Sequence, residues 1–378
     1  MNRNSTARDV AELAGVSRTT VSFVLNDVAG MRISEETRAR VRDAARQLDY
    51  HPDVSAQRLV TGRTGILAYV ERQNPEDAFS DAFLPQVLRG VNDAAKAAGF
   101  ETMFAPVPLA EGAGRIERLL RGKHVDGIIL SGPRADDASL RRLLQTGAPI
   151  VLQGSWPGVS VASVDIDNVA AARRAVEHLL ALGYRELGMI VHAPLEFTAA
   201  ASRLQGYREA IAGAGRDELG DRFTVAAFTP LSGERAMEAL LDRGAPLEAV
   251  FVSSDTVAVG ALLSLRRRGL RVPQDVAVIG FDDIPMAIYL DPSLTTIRLP
   301  AYGLGWGAAE LAIRLVSGDQ VHQRHIILDS ELVVRTSCGA AGRNQITASR
   351  PDRQPSLPHD LPSGGISSIS KGGEASFT

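Results

Sequence analysis

The stretch ARDVAELAGVSRTTVSFVLND, Ala7 to Asp27, decides the N-terminal fold. It reads as two short helices around a tight turn. Ala11 lies on the first helix, where a close helix crossing needs a small residue. Gly15 occupies the turn, whose left-handed backbone costs glycine little and a β-branched residue much. Val21, on the second helix, is expected to face a small core with Val10, Leu13, Val24 and Leu25. Ser17 is a natural N-cap for that helix. Arg18, Thr19, Ser22 and Phe23 are left on or beside its outer face, the surface that would enter a DNA major groove.

Outward from this motif, Ser34 is expected to cap a third helix. Glu35 and Glu36 place negative charge in its first turn, and Val41, Ala44 and Leu48 recur at helical spacing. The sequence Tyr50-His51-Pro52 ends it. The segment Asp53 to Arg63 is too short to be a stable helix alone and reads as a link between two units. From Thr64 the pattern changes. Apolar runs such as GILAYV (65–70), GIILSG (127–132), PIVLQG (149–154), LGMIVH (187–192), AVFVSS (249–254) and VAVIGFDD (276–283) alternate with amphipathic helical stretches. That rhythm predicts parallel sheets with helices on both faces, in two halves meeting near 160–165. A strand over 294–300, a helix over 303–317 and a last strand-like piece over about 325–336 close the ordered part. Beyond Cys338 the chain is polar and rich in Pro, Ser and Gly, and is expected to be disordered.

At 378 residues the chain exceeds a single core of ordinary size, so two or three folded units are expected. The net charge of -3 is no obstacle to DNA binding, because local charge decides it. The single cysteine rules out an intrachain disulfide and fits a reducing compartment. The opening MNRNSTARDV lacks the apolar core of a signal peptide, and no run is long enough for a membrane helix, so a cytoplasmic location without membrane partners is expected.

Two parallel α/β lobes bind ligands at the C-terminal ends of their strands. Gln153 ends one strand, Phe228 another, Asp255 follows AVFVSS, Asp282 follows VAVIGF, and Arg203 lies on a helix after the loop 192–201. Phe79 and Phe83, in the long loop after the first strand, are candidates from the other lobe. Carboxylates that accept from hydroxyls, a multiple donor and aromatic faces suit a polyhydroxylated ligand. For Asp255 a helix-capping role stands close beside the ligand role, and both can hold at once. No G-x-S-x-G, Walker loop or G-x-G-x-x-G is present, and the pair His322 and His325 has no third ligand nearby. No catalysis, metal or cofactor is expected.

The segments DVAELAGVSRTTVSFVLN, YHPDVSAQRL, VDIDNVAAARRAVEHLLALGYREL, SRLQGYREA, SSDTVAVGAL, VPQDVAVIGFDDIP and PSLTTI follow one another in this order. In combination they resemble the LacI/GalR family of bacterial transcription regulators, from about residue 6 to 338. The resemblance implies a helix-turn-helix headpiece (1–50), a hinge (51–63) and a two-lobed, periplasmic-binding-protein-like α/β domain (64–338), followed by a disordered tail (339–378). The lobes are expected at about 64–163 plus 294–322 and 164–290 plus 323–338. It implies a homodimer reading two half-sites of an operator. The DNA-facing set is Ser17, Arg18, Thr19, Thr20, Ser22 and Phe23, with Arg18, Thr19 and Phe23 at base edges and Thr20 and Ser22 at the backbone. Phe23 departs from the arginine common there. In the hinge, Leu59 matches a leucine that wedges into the minor groove, and Ala56 is small enough for close helix pairing. Asp53 stands where asparagine is usual.

By the same resemblance Arg203, Asp255 and Asp282 match effector-gripping positions, and Phe228 a stacking aromatic. The function expected is a transcription repressor controlled by a small effector, a sugar or sugar phosphate. A purine or protein corepressor, a solute-binding protein of periplasmic type and a sugar-modifying enzyme are the alternatives.

Overall fold

In the computed structural model, residues 5–25, 31–50, 62–321 and 323–340 are described. Three helices form the N-terminal unit: α1 (Ala7–Ala14), α2 (Arg18–Leu25) and α3 (Glu35–Gln47). Thr6 and Asp9 close a reciprocal capping box on α1. Gly15 takes φ 66°, the left-handed turn its position requires. The Ser17 hydroxyl accepts from the Thr20 amide at 3.1 Å, and Ser34 caps α3 through the Thr37 amide. Val10, Ala11, Ala14, Val21, Val24, Val41 and Ala44 make the core, with Leu25 and Leu48 packed at its edge. Leu13 corrects the expectation, since it is 52% exposed. Residues 10, 11 and 14 define the buried stripe of α1. At 100° per residue Leu13 falls roughly 100° from its centre.

The remainder forms two six-stranded sheets. The first contains β1 (Ile66–Glu71), β2 (Glu101–Pro106), β3 (Gly127–Ser131), β4 (Ile150–Gln153), β5 (Ala162–Ile166) and β11 (His325–Leu328), all paired in parallel. The second contains β6 (Leu187–Val191), β7 (Phe223–Val225), β8 (Ala249–Val252), β9 (Ala277–Asp282), β10 (Thr295–Arg298) and β12 (Glu331–Val333). It is parallel except for β12, which runs against β10 at the sheet edge. The helices that matter for the site are α4 (Leu84–Ala97), α5 (Gly114–Arg121), α6 (Ala138–Leu144), α7 (Asn168–Ala181), α8 (Thr198–Gly213), α9 (Pro230–Leu241), α10 (Asp255–Arg267) and α11 (Ala301–Ser317).

Strand order is β2-β1-β3-β4-β5-β11 in the first sheet and β7-β6-β8-β9-β10-β12 in the second. In each, successive strands run outward in opposite directions from a reversal, between β1 and β3 and between β6 and β8. Helices flanking such a reversal diverge and leave a crevice beyond the strand ends.

The chain passes between the sheets three times, and these passages move the expected lobe boundaries. Residues 164–166 belong with β5 in the first sheet, and β10 (295–298) belongs to the second. Residues 325–328 return to the first, and only β12 rejoins the second. The piece read as one strand over 325–336 is therefore two strands in different sheets, separated by Asp329 and Ser330. The helix α11 follows β10 yet packs on the first lobe, against α4. There the backbones touch: a Cβ at Gly90 would lie 2.1 Å from the Tyr302 carbonyl oxygen. The hinge positions Asp53, Ala56 and Leu59, residue His322 and residues 341–378 of the tail lie outside the described residues.

Candidate effector cleft and DNA-reading helix

A cavity of about 140 Å³ lies between the C-terminal strand ends of the two lobes. Of the residues expected there, Phe83, Gln153, Arg203, Phe228 and Asp282 line it, and Asp255 does not. Asp255 is fully buried beneath, where its two oxygens accept from the Thr296 hydroxyl at 2.7 Å and the Ile284 amide at 3.0 Å. Its carboxylate joins the start of α10 to β10 and to the turn after β9, so its role in this fold is internal.

Arg203 projects from α8 and is buried. Its Nε donates to Asn168 Oδ1 at 2.9 Å, and Nη1 donates to the Ser253 carbonyl at 2.7 Å and stands 3.7 Å from Asp282 Oδ1. The guanidinium stacks 3.8 Å above the Phe281 ring centre. Asn168 in turn donates Nδ2 to Asp165 Oδ1 at 3.0 Å. Asp165 lies on β5 in the first lobe, so Asp165, Asn168 and Arg203 form a polar clasp from one lobe to the other. Asp165 also accepts from the Ser155 hydroxyl and its neighbour's amide.

Asp282 ends β9 at φ 118°, a conformation that L-residues rarely adopt, and Asp283 follows at φ 57°. Arg298 and Arg335 each grip one Asp283 oxygen at 2.6 Å. The paired arginines hold this turn, and with it the carboxylate of Asp282 in the cavity wall. Phe228, also left-handed at φ 64°, donates its amide to the His192 carbonyl. Its ring meets the Phe197 and His192 rings edge-on at 5.0 and 5.8 Å, forming an aromatic corner.

The first lobe contributes Tyr69, Glu71, Gln73, Asp81 and Ser131 as well as Gln153. The Tyr69 hydroxyl donates to Gln153 Oε1 at 2.6 Å. Phe83 Cα follows Asp81 in a loop that packs on the apolar core of the second lobe. Phe79, in the same loop, is 71% exposed and leans on Phe104 outside the cavity.

Burial dominates the electrostatics. It pushes Glu71 up to about 8, helped by the charge of Asp81, and Asp282 up to about 7 against the pull of Arg203. Asp81 and Asp165 are raised for the same reason, and Asp255 well above the carboxylate range. Burial also holds His192 well below its usual value, with Arg203 adding to the effect. Its Nδ1 faces the Ser253 hydroxyl at 3.0 Å.

Reading strand ends one at a time missed Glu71, Ser131, His192, Asp165 and Asn168. Glu71 and Ser131 end the two strands that flank the first reversal, and His192 follows one of the pair flanking the second. Strand order is the signal that singles them out.

On the headpiece, Ser17, Arg18 and Thr19 are exposed, and Thr20, Ser22 and Phe23 are half-buried. All six lie on or at the start of α2, and Val21 and Val24 anchor its opposite face in the core.

Two family profiles match the chain: "Bacterial regulatory proteins, lacI family" over residues 6–53 and "Periplasmic binding protein-like domain" over residues 176–338. The HTH-type transcriptional regulator CelR of Thermobifida fusca is 36% identical over 338 residues, covering 89% of this chain and 98% of CelR. The HTH-type transcriptional repressor CytR of Escherichia coli K12 is 32% identical, covering 89% and 97%. Among solved structures, the CelR–cellobiose complex superposes with a TM-score of 0.68 at 35% identity, covering 88% of this chain and 99% of that one. The lac repressor dimer bound to operator and the anti-inducer ONPF gives 0.76 at 26% identity, covering 89% and 99%. These relatives regulate transcription, so the solute-binding alternative is not favoured. With a helix-turn-helix unit ahead of a two-lobed cleft, and relatives matched over nearly their whole length, the chain belongs to the lacI family of bacterial regulatory proteins and is a DNA-binding transcription regulator.

Proposed function

We propose that the chain is a cytoplasmic, homodimeric repressor, without enzymatic activity, whose hold on its operator is set by a carbohydrate in the interlobe cavity. The observation that carries the effector reading is the cavity itself. Asp282, Arg203, Asn168, Asp165 and Gln153 surround it with hydrogen-bonding groups, and Phe228 and Phe197 supply an aromatic corner. Hydroxyl groups can both donate to the carboxylates and accept from the amides, and the apolar face of a sugar ring packs against aromatic rings. The relative solved with cellobiose makes that disaccharide the natural first probe.

In this reading Arg18, Thr19 and Phe23 meet base edges, Ser17, Thr20 and Ser22 meet the backbone, and the hinge residues Ala56 and Leu59 act at the minor groove. Arg18 to a guanine is worth about 1–3 kcal/mol of discrimination. Phe23 has no donor and reads thymine methyls by contact. A ligand that prefers one lobe arrangement shifts the population of operator-competent dimers.

Fluorescence anisotropy on the gene's own upstream DNA tests this directly. Specific binding at moderate salt, altered by cellobiose or another neutral sugar, is the expected result. Binding no tighter than to unrelated DNA would sink the regulator reading. Specific binding indifferent to every sugar would sink the effector reading alone.

A further inference from the structure

The side-chain hydroxyls in the first-lobe wall of the cavity are already given away, that of Tyr69 to Gln153 and that of Ser131 to Glu71. Glu71 ends β1 with 6% of its surface exposed, and Gln73, two residues on, has 8%. Gln73 Nε2 donates to Glu71 Oε1 at 3.3 Å. Its Oε1 is buried and, among the described residues, receives no hydrogen bond. Arg72 between them brings no charge to the cavity, because its guanidinium is held by Asp137 at 2.7 Å and by the Gly112 carbonyl at 2.9 Å. Asp81 enters from the loop after β1, with one oxygen accepting the Phe83 amide at 3.0 Å. Asp165, on β5 of the same lobe, and Asp282, across the cavity in the second lobe, complete the acidic lining. The cation among the lining residues is Arg203, whose Nε and Nη1 already serve Asn168 and the Ser253 carbonyl.

An occupant of this space finds acceptors at Gln73 Oε1 and Asp81, and any negative charge it brings meets a cluster of carboxyl groups whose neighbouring cation, Arg203, is already engaged with Asn168, the Ser253 carbonyl and Asp282. We propose that Glu71, Gln73 and Asp81 form a donor-demanding subsite that selects an uncharged polyol and rejects its phosphate ester. This rests on the carbohydrate reading of the cavity. It separates two ligand classes that the lining chemistry of Arg203, Asp282 and Phe228 alone would admit. Gln73 Oε1 and the carboxylates take hydroxyl protons. A phosphate dianion has no such proton to give, and it meets the Asp81 carboxylate, joined above about pH 8 by that of Glu71.

The test uses the full-length protein and calorimetric titration with glucose, galactose, xylose, cellobiose, maltose, glucose 6-phosphate and cellobiose 6′-phosphate. The expected result is binding of a neutral sugar, with its phosphate ester weaker by at least about 30-fold. In the isosteric double variant Glu71→Gln/Asp81→Asn this ratio, read at pH 9, above the value of about 8 to which burial lifts Glu71, should shrink by about tenfold or more, because the like charge is gone. Gln73→Leu should weaken the neutral sugar by about tenfold, with far-UV circular dichroism confirming that it folds. The double variant keeps the proposal testable if Gln73→Leu does not fold. A phosphate ester that binds as well as its parent sugar, or a ratio unchanged in the double variant, would overturn the subsite and leave the carbohydrate reading intact. No binding of any sugar or ester would overturn both.

Discussion

A single side chain, Glu71, shows how a functional cavity is held against the preference of its own groups. Its folded value of about 8 lies above the unfolded value, so the native state keeps a proton that the unfolded chain has already lost. Stability therefore falls as pH rises from about 4.5 towards 8, with a limiting slope of about 1.4 kcal/mol per pH unit for one such group. Glu71→Gln removes this term. The variant should nearly match the parent near pH 5 and exceed it by about 3–4 kcal/mol at pH 8. Thermal melts from pH 5 to 9 check this, and parallel curves for the two proteins would refute it. Asp282, pushed up to about 7, leaves in both a term of the same sign that ends nearer pH 7. Arg203, Asp282, Gln153 and Phe228 were legible in the sequence because each sits at a strand end or just beyond a loop. Gln73 was not. Its importance lies in an unpaired oxygen, and burial without a partner is not a property of sequence.

At the scale of elements, backbone-to-backbone packing joins the two halves of the first lobe. Gly90 on α4 and Gly305 on α11 let the helices meet backbone to backbone, with a Cβ at Gly305 falling 2.1 Å from the Val87 carbonyl oxygen. Gly90→Ala should lower stability by about 1–3 kcal/mol, since the added methyl can be accommodated only by moving a helix. Gly213→Ala, at the end of α8 with no atom within 4 Å of the added carbon, is the matched control and should be neutral or slightly stabilising. Scanning calorimetry of the two variants distinguishes packing from a general intolerance of alanine. Strands such as β1, β6 and β8 were readable because buried parallel strands are continuous apolar runs. The last two strands were not separable. Residues 325–328 and 331–333 have similar local character, and they part company because distant partners, β5 and β10, lie in different sheets.

For the whole molecule, the three passages between lobes matter more than any one contact. The clasp from Asp165 through Asn168 to Arg203 lies beside the first of them, and Arg298, which holds the strained Asp283, lies just before the second. The two-lobed plan and its parallel sheets could be read from the rhythm of the chain. The lobe boundaries could not, because a crossover is defined by where its ends pair. Arg203 thus serves two masters: it walls the cavity, and it is one end of the link between the lobes. Glu71 and Gln73 take no part in that link, whereas Asp81 faces Arg203 and Thr256 of the second lobe. The two sets should therefore differ in how freely they can change. A library randomised at 71 and 73, selected in a reporter strain for response to new sugars, should yield working regulators with altered preference. The same library at 203 should yield proteins locked in one regulatory state. Taste and switching, in this architecture, are free to evolve apart.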